Sequence, residues 1–256
     1  MSNNDGTYRI MPLISSSRGV DVHNGTDTTM TFHGRSFPKR NGIDVQLYDY
    51  YGGSHQKWIF VNTSSAVTGV HMSNLDGTST QFFNAAENLH NSLGSVVPCA
   101  KLTDSSATDV WKLMQSSVIF FFNGHGLQTS VSCGGGSSSL TREYVLSQPT
   151  GSLSNCKLVV YKACLTALGG KSDEGDPPIN LAQATAERGA TTVVGFQGSI
   201  LINQADTWMT AFCNGIAGGQ TVEKACENAT KVVDNQYTDL GFTDTYFIFG
   251  TASQTF

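Results

Sequence analysis

Hydrophobic and polar residues follow two different patterns along this chain, and the change falls near residue 62. In residues 1–62, short runs suited to strands are separated by turn signals such as Asn24-Gly25, Asn41-Gly42 and Gly52-Gly53. From residue 66 onwards, strand-like runs alternate with helical spacing. The pattern therefore predicts a small all-β segment at 1–62 and a second domain at 66–256.

The second segment repeats a strand–helix–strand order. Six apolar runs are predicted strands, at 67–72, 96–102, 117–122, 157–163, 191–196 and 245–250. Apolar residues between them recur at helical spacing, as at Ala107, Val110 and Met114, behind a Ser106…Asp109 capping signal. Such an order requires a mostly parallel sheet with helices on both faces. We predict a three-layer α/β/α domain.

One further helix is predicted from its end signals. Asp176-Pro177-Pro178 provides an N-cap and a first turn, and Gly189 provides a stop. We therefore expect a helix from about residue 177 to Gly189.

Composition excludes several classes of function. Of the 256 residues, 39% are hydrophobic and 14% are charged, and the net charge of -5 argues against a nucleic-acid-binding surface. No apolar run approaches the roughly 20 residues of a membrane span. The first residues lack the pattern of a signal peptide, and the six cysteines include no CxxC pair. We expect an intracellular protein with reduced thiols.

Two chemically useful side chains follow predicted strands. His125 stands just past VIFFF in the stretch VIFFFNGHGLQ, and Cys164 stands just past LVVY. Catalytic groups of open α/β sheets gather beyond the carboxyl ends of the strands, and neighbouring strands lie about 4.8 Å apart. An imidazole and a thiol placed this way can form a catalytic pair, because a thiol needs such help to act as a nucleophile near neutral pH.

Simpler interpretations of these residues also exist. A histidine between glycines is often a turn residue, and a cysteine at a strand end is often inert packing. A zinc site would need three or four His or Cys ligands, so we predict no metal. If the pair is catalytic, the backbone N–H groups of Gly126 and Cys164 are candidate oxyanion donors, since glycine lets the backbone approach a substrate carbonyl closely.

The same stretches resemble the caspase-like cysteine peptidases of the CHAT type. The resemblance lies in FFFNGHG, in LVVYKACLTALGG, and downstream in RGATTVVGFQGSI, DTWMTAFCNGIAGGQTVEKACENA and a closing YFIFG, so that it covers about 66–250. It implies His125 as general base and acid, Cys164 as nucleophile and Gly126 as oxyanion donor. It also implies a peptide or protein substrate and no cofactor.

The sequence departs from the family pattern beside the nucleophile. Leu165 replaces a frequent acidic residue, and Lys162 replaces a frequent small one. In this family the position two before the nucleophile can lie near the pocket for the residue preceding the cleaved bond. We therefore expect Lys162, with Gln197, Gly198 and Ser199, to form that pocket and to disfavour basic side chains. Alternatively, Lys162 stabilises the Cys164 thiolate, or it pairs with Asp173, Glu174 or Asp176 and leaves the pocket acidic.

The N-terminal segment resembles one repeat of a ricin-type lectin. The resemblance covers about 6–62 and includes Tyr8-Arg9-Ile10, Val20-Asp21-Val22, Gln46-Leu47-Tyr48 and Gln56-x-Trp58. It implies that a sugar would contact Asp21, Tyr50 or Tyr51, and Gln56. A complete β-trefoil has three such repeats, so a purely structural role for this single repeat is the alternative.

Two functions thus follow from the sequence. One is a cysteine endopeptidase with a Cys164–His125 dyad. The other is a carbohydrate-binding protein whose caspase-like domain is an inactive scaffold.

Overall fold

The computed structural model divides the chain into two compact units, Met1–Asn62 and Thr63–Phe256. It describes the strand backbones at 18–22, 29–32, 35–38 and 45–49 in the first unit, and residues 68–72, 80–94, 99–134, 138–237 and 245–256 in the second. Within those residues no helix is long and apolar enough to cross a membrane.

The first unit contains two antiparallel strand pairs. Its strands are β1 (Arg18–Val22), β2 (Thr29–Phe32), β3 (Arg35–Pro38) and β4 (Val45–Asp49). Strand β1 pairs with β4, and β2 pairs with β3. Of the predicted sugar-binding residues, Asp21 lies in β1 opposite Gln46, whereas Tyr50, Tyr51 and Gln56 fall outside the described residues.

The second unit alternates strands and helices. In chain order its elements are β5 (Thr68–Met72), α1 (Thr80–Ser92), β6 (Ala100–Thr103), α2 (Ala107–Ser116), β7 (Ile119–Asn123), β8 (Gly126–Leu127), β9 (Ser130–Gly134), β10 (Ser138–Thr141), α3 (Arg142–Ser147), β11 (Leu158–Lys162), α4 (Leu181–Glu187), β12 (Thr192–Phe196), α5 (Ile202–Ala217), α6 (Val222–Gln236) and β13 (Tyr246–Gly250).

Six of these strands form the central sheet, in the order β13-β12-β11-β7-β5-β6. Five of them run parallel, and β13 joins one edge antiparallel to β12. Four of the parallel strands, β5, β7, β11 and β12, are buried on both faces, and burial of this kind gives β7, β11 and β12 their mainly apolar sequences. Strand β11 lies at the centre, directly beside β7, so the loops after these two strands meet at one end of the sheet.

Two hydrophobic cores cover the two faces of the sheet. Alternation along β7 sends Ile119 and Phe121 towards α1, α5 and α6, and Phe120 and Phe122 towards α2, α3 and α4. Strand β11 does the same with Leu158 and Val160 on one side and its alternate residues on the other. The predicted three-layer α/β/α class with a mostly parallel sheet is confirmed.

One local prediction is confirmed and another is wrong. Ser106 caps α2 by accepting a hydrogen bond from the backbone N–H of Asp109 at 3.1 Å. The helix predicted to begin near residue 177 instead begins at Leu181, because Asn180 is its N-cap and accepts from the N–H of Gln183. The small sheet of β8, β9 and β10, and the short helix α3, were not predicted.

Candidate active site

His125 and Cys164 lie just beyond the paired ends of the two central strands. Asn123 of β7 stands directly opposite Lys162 of β11 in the parallel register, and the backbone N–H of Gly124 donates to the carbonyl oxygen of Lys162 at 3.3 Å. His125 and Cys164 each follow this pair by two residues. His125 is exposed and Cys164 is half-buried. The strand register thus brings an imidazole and a thiol to adjacent strand ends.

Gly126 contacts the backbone at Cys164 directly. A Cβ atom built on Gly126 would lie 2.5 Å from the carbonyl oxygen of Cys164 and 2.8 Å from the Cβ atom of Ala163. Real Cβ atoms do not approach that closely, so glycine is required for the two loops to touch. The small sheet fixes the other side of this loop, since the N–H of Ser132 donates to the carbonyl oxygen of His125 at 3.0 Å.

The turn that begins at Cys164 is held against the loop after β12. The N–H of Leu165 donates to the carbonyl oxygen of Gly198 at 3.1 Å, and the N–H of Ile200 points at the Cys164 sulfur, 3.4 Å away. Leu165 has a φ of 61°, in the left-handed region that a non-glycine side chain rarely adopts. Such strain persists only where surrounding contacts maintain it, as these hydrogen bonds do here.

The predicted pocket residues Gln197, Gly198 and Ser199 belong to the loop that this turn contacts. The carbonyl oxygen of Gly198 accepts from the N–H of Leu165, the residue after Cys164, and the N–H of Gln197 donates to the carbonyl oxygen of Thr245 at 2.6 Å. Gln197 and Gly198 are half-buried, and Ser199 is exposed. The loop that carries these three residues therefore lies beside the turn at Cys164, through the contacts of Gly198 and Ile200.

Lys162, two residues before Cys164, is buried and its charge is compensated. Its side-chain nitrogen lies 2.6 Å from Oδ1 of Asp206 in α5 and donates to Oδ1 of Asn123 at 2.7 Å. The same nitrogen lies 5.5 Å from the centre of the Phe82 ring. Lys162 is 5% exposed and Asp206 is 8% exposed. The partner of Lys162 is thus an acid of α5, whereas Asp173, Glu174 and Asp176 are exposed.

A cavity of about 930 Å³ lies along α5 next to this ion pair. Ile200, whose N–H contacts the Cys164 sulfur, is part of its wall, and so is Asp206. The other lining residues are Gln81, Leu201, Ile202, Asn203, Thr207, Thr210, Ala211, Asn214, Val232, Gln236 and Tyr237. Lys162 reaches the cavity only through Asp206, because its own side chain is not part of the wall.

The remaining five cysteines occupy environments unsuited to nucleophilic chemistry. Burial raises the pKa of the Cys133 thiol to about 11 and that of Cys156 to about 12. Burial also raises the pKa of Cys99 to about 12, and it raises the pKa values of Cys213 and Cys226. Among the residues that the structure describes, no group of three His, Cys, Asp or Glu side chains could hold a metal ion.

Sequence reasoning missed two residues of this site, Asn123 and Asp206. Asp206 lies between Ala205 and Trp208 on the buried stripe of α5. An acid on an apolar helix face signals a buried partner, because a lone buried carboxylate would be costly. That signal was available in the sequence, but it does not name Lys162 as the partner.

Solved structures of cysteine proteinases resemble this fold. The Arg-specific cysteine proteinase gingipain R is 14% identical over 74% of this chain and 46% of its own, with a TM-score of 0.56. The complex of the pro- and mature domains of RgpB from Porphyromonas gingivalis is 15% identical over 74% of this chain and 48% of its own, with a TM-score of 0.52. The chain thus spans about half the length of these relatives, and the likeness shows the caspase-like fold.

No match was found among curated proteins. The family model of the CHAT domain matches residues 101–246, a range that includes β7, β11 and the loops that carry His125 and Cys164. This range is more than half of the chain, and the resemblance noted in the sequence falls on the same strands and loops. The chain therefore belongs to the CHAT domain family.

Proposed function

We propose that this protein is a cysteine endopeptidase in which Cys164 is the nucleophile and His125 the general base and acid. The observation that carries the proposal is the register of β7 and β11, in which Asn123 and Lys162 pair and the two candidate residues follow at equal distance. The close contact of Gly126 with the Cys164 carbonyl supports it, because the two loops cannot be far apart.

The proposed reaction is acyl transfer through a thioester. His125 takes the proton of the Cys164 thiol, and the sulfur attacks the substrate carbonyl carbon to form a tetrahedral oxyanion. The N–H groups of Gly126 and Cys164 bind that oxyanion. The C–N bond then breaks while His125 returns its proton to the leaving amine. Water, deprotonated by His125, hydrolyses the thioester and releases the acid product and the free thiol.

The backbone of Ile200 holds the Cys164 sulfur in position. Its N–H lies 3.4 Å from the sulfur and its carbonyl oxygen 3.8 Å from it. The mechanism uses side chains and backbone groups of this chain alone, so no cofactor enters the proposal.

The proposal is tested with a peptide library and four variants of the full chain. We expect Cys164→Ala and His125→Ala each to remove peptide cleavage, and the double variant to be scarcely slower than either single one, because the pair acts as a unit. Cys99→Ala is the matched control, since it also removes one half-buried thiol but lies away from the site.

Thermal unfolding of each variant would show whether the fold is retained. Cleavage that persists in Cys164→Ala would contradict the proposal. So would an additive loss in the double variant, because that result would mean that the two side chains act independently.

A further inference from the structure

The wall of the cavity along α5 includes the carboxylate of Asp206, whose charge is balanced by a buried lysine, and this feature bears on substrate choice. The Lys162 ammonium and the Asp206 carboxylate form a buried pair, and only Asp206 is part of the cavity wall. We propose that this cavity receives the substrate side chain that precedes the cleaved bond, that it selects an uncharged polar side chain such as glutamine, and that Lys162 determines this choice by neutralising Asp206.

Ile200 connects the cavity to the Cys164 sulfur. This residue lines the cavity, and its backbone contacts the Cys164 sulfur through both its N–H group and its carbonyl oxygen. A peptide whose carbonyl carbon is at Cys164 therefore has the cavity within reach of the adjoining side chain. This assignment rests on the proposed peptidase function.

The wall chemistry determines what fits. Among the lining residues that the structure describes, Asp206 is the one with a formal charge. Along α5 the wall combines amides and hydroxyls, at Asn203, Thr207, Thr210 and Asn214, with the apolar side chains of Ile202 and Ala211. Amide and hydroxyl groups both donate and accept hydrogen bonds, so they suit an uncharged polar side chain.

The ion pair excludes charged side chains of either sign. An arginine or lysine would meet a carboxylate whose charge is already balanced at 2.6 Å by Lys162. A glutamate would meet that carboxylate before it could reach the ammonium group, because Lys162 is not part of the wall. A charged side chain of either sign would lose its hydration without gaining an ion-pair partner, so the cavity would bind it less tightly than an uncharged polar side chain.

Removing one member of the pair should change the preference in a defined direction. We would measure hydrolysis of Ala-Ala-Ala-Xaa reporter peptides with Gln, Arg or Glu at Xaa. The unmodified chain should prefer Gln. Lys162→Met removes the ammonium group that lies 2.6 Å from the Asp206 carboxylate, so that an arginine side chain could take its place. We expect the Arg-to-Gln ratio of kcat/KM to rise by about tenfold or more, as one charged hydrogen bond allows.

The matched control is Lys162→Met combined with Asp206→Asn. Both variants lose the hydrogen bond from Lys162 to Asn123, whose strand leads to His125. A difference between them therefore reports the charge of Asp206 and not a displaced histidine. We expect the double variant to prefer Gln again.

A binding measurement separates this inference from the peptidase proposal. In a Cys164→Ala background, which cannot form the thioester, calorimetry with the same peptides as amides should show tighter binding of the Arg peptide after Lys162→Met. That result would support the cavity assignment even if no chain cleaved any peptide. An unmodified chain that prefers Arg, an unchanged Arg affinity, or no binding of any peptide would each overturn the inference.

Discussion

Gly126 offers the sharpest test of the site geometry, because an added methyl group would overlap with neighbouring atoms. In Gly126→Ala the new Cβ atom would meet the Cys164 carbonyl oxygen at 2.5 Å, the Ala163 Cβ at 2.8 Å and the Thr166 Cγ2 at 3.1 Å. The nearest of these atoms is backbone, and it cannot turn aside as a long side chain could. Gly126 lies outside the left-handed region, so the effect would come from contact and not from backbone strain.

The magnitude follows from the size of the overlap. Ordinary contact begins near 3.4 Å, so the two loops must separate by about 1 Å. A displacement of this size between reacting groups costs about 100-fold in rate, and overpacking of this kind costs about 1–3 kcal/mol in the free energy of unfolding. We therefore expect Gly126→Ala to lower kcat/KM by about 100-fold and to destabilise the fold measurably.

Gly198→Ala is the control for this experiment. Gly198 accepts a hydrogen bond from Leu165 in the same site, but no atom lies within 4 Å of a Cβ built on it. Urea unfolding should therefore be nearly unchanged in this variant. If Gly126→Ala were as stable as Gly198→Ala and kept the kcat/KM of the unmodified chain, the contact between the two loops, and the geometry built on it, would be wrong.

Two further predictions concern protonation and thiol reactivity. Burial lowers the pKa of His71 to about 4, so unfolding takes up a proton as the pH falls below the ordinary histidine value. The free energy of unfolding should therefore fall by about 2 kcal/mol between about pH 7.5 and about pH 5. The fall should be smaller in His71→Gln, because glutamine does not titrate. Equal falls in the two chains, measured by urea unfolding, would disprove this. Iodoacetamide should modify Cys164 before the other cysteines, whose pKa values are raised by burial. Equal, slow labelling of all six, followed by mass spectrometry, would favour an inactive scaffold.

The fold class could be predicted from sequence because burial leaves a direct trace in residue order. Strands such as β7 and β11 are covered on both faces and therefore read as continuous apolar runs. The amphipathic helices carry their own period, as in α2 behind its Ser106 cap. The start of α4 could not be predicted as well, because Asp176 and Asn180 are both good caps and packing selects between them.

The candidate dyad could also be predicted from sequence, because parallel strands bring their carboxyl ends to one edge whatever their order. The sequence does not show which strands are neighbours. In the sheet β7 lies beside β11, and this pairing places Asn123 opposite Lys162. The small sheet of β8, β9 and β10 was missed because its strands, GL, SVSCG and SSLT, contain few apolar residues.

The sequence by itself determined the layers of the second unit and the two strand ends at which chemistry could occur. The environment of Lys162 depends on the tertiary structure, because its position two residues before Cys164 suggested a positive charge in the substrate pocket. Alternation along β11 turns its side chain towards α5, where Asp206 neutralises it. Local patterns encode which face a residue takes, but the energy of a buried charge depends on partners that the chain brings together from distant positions.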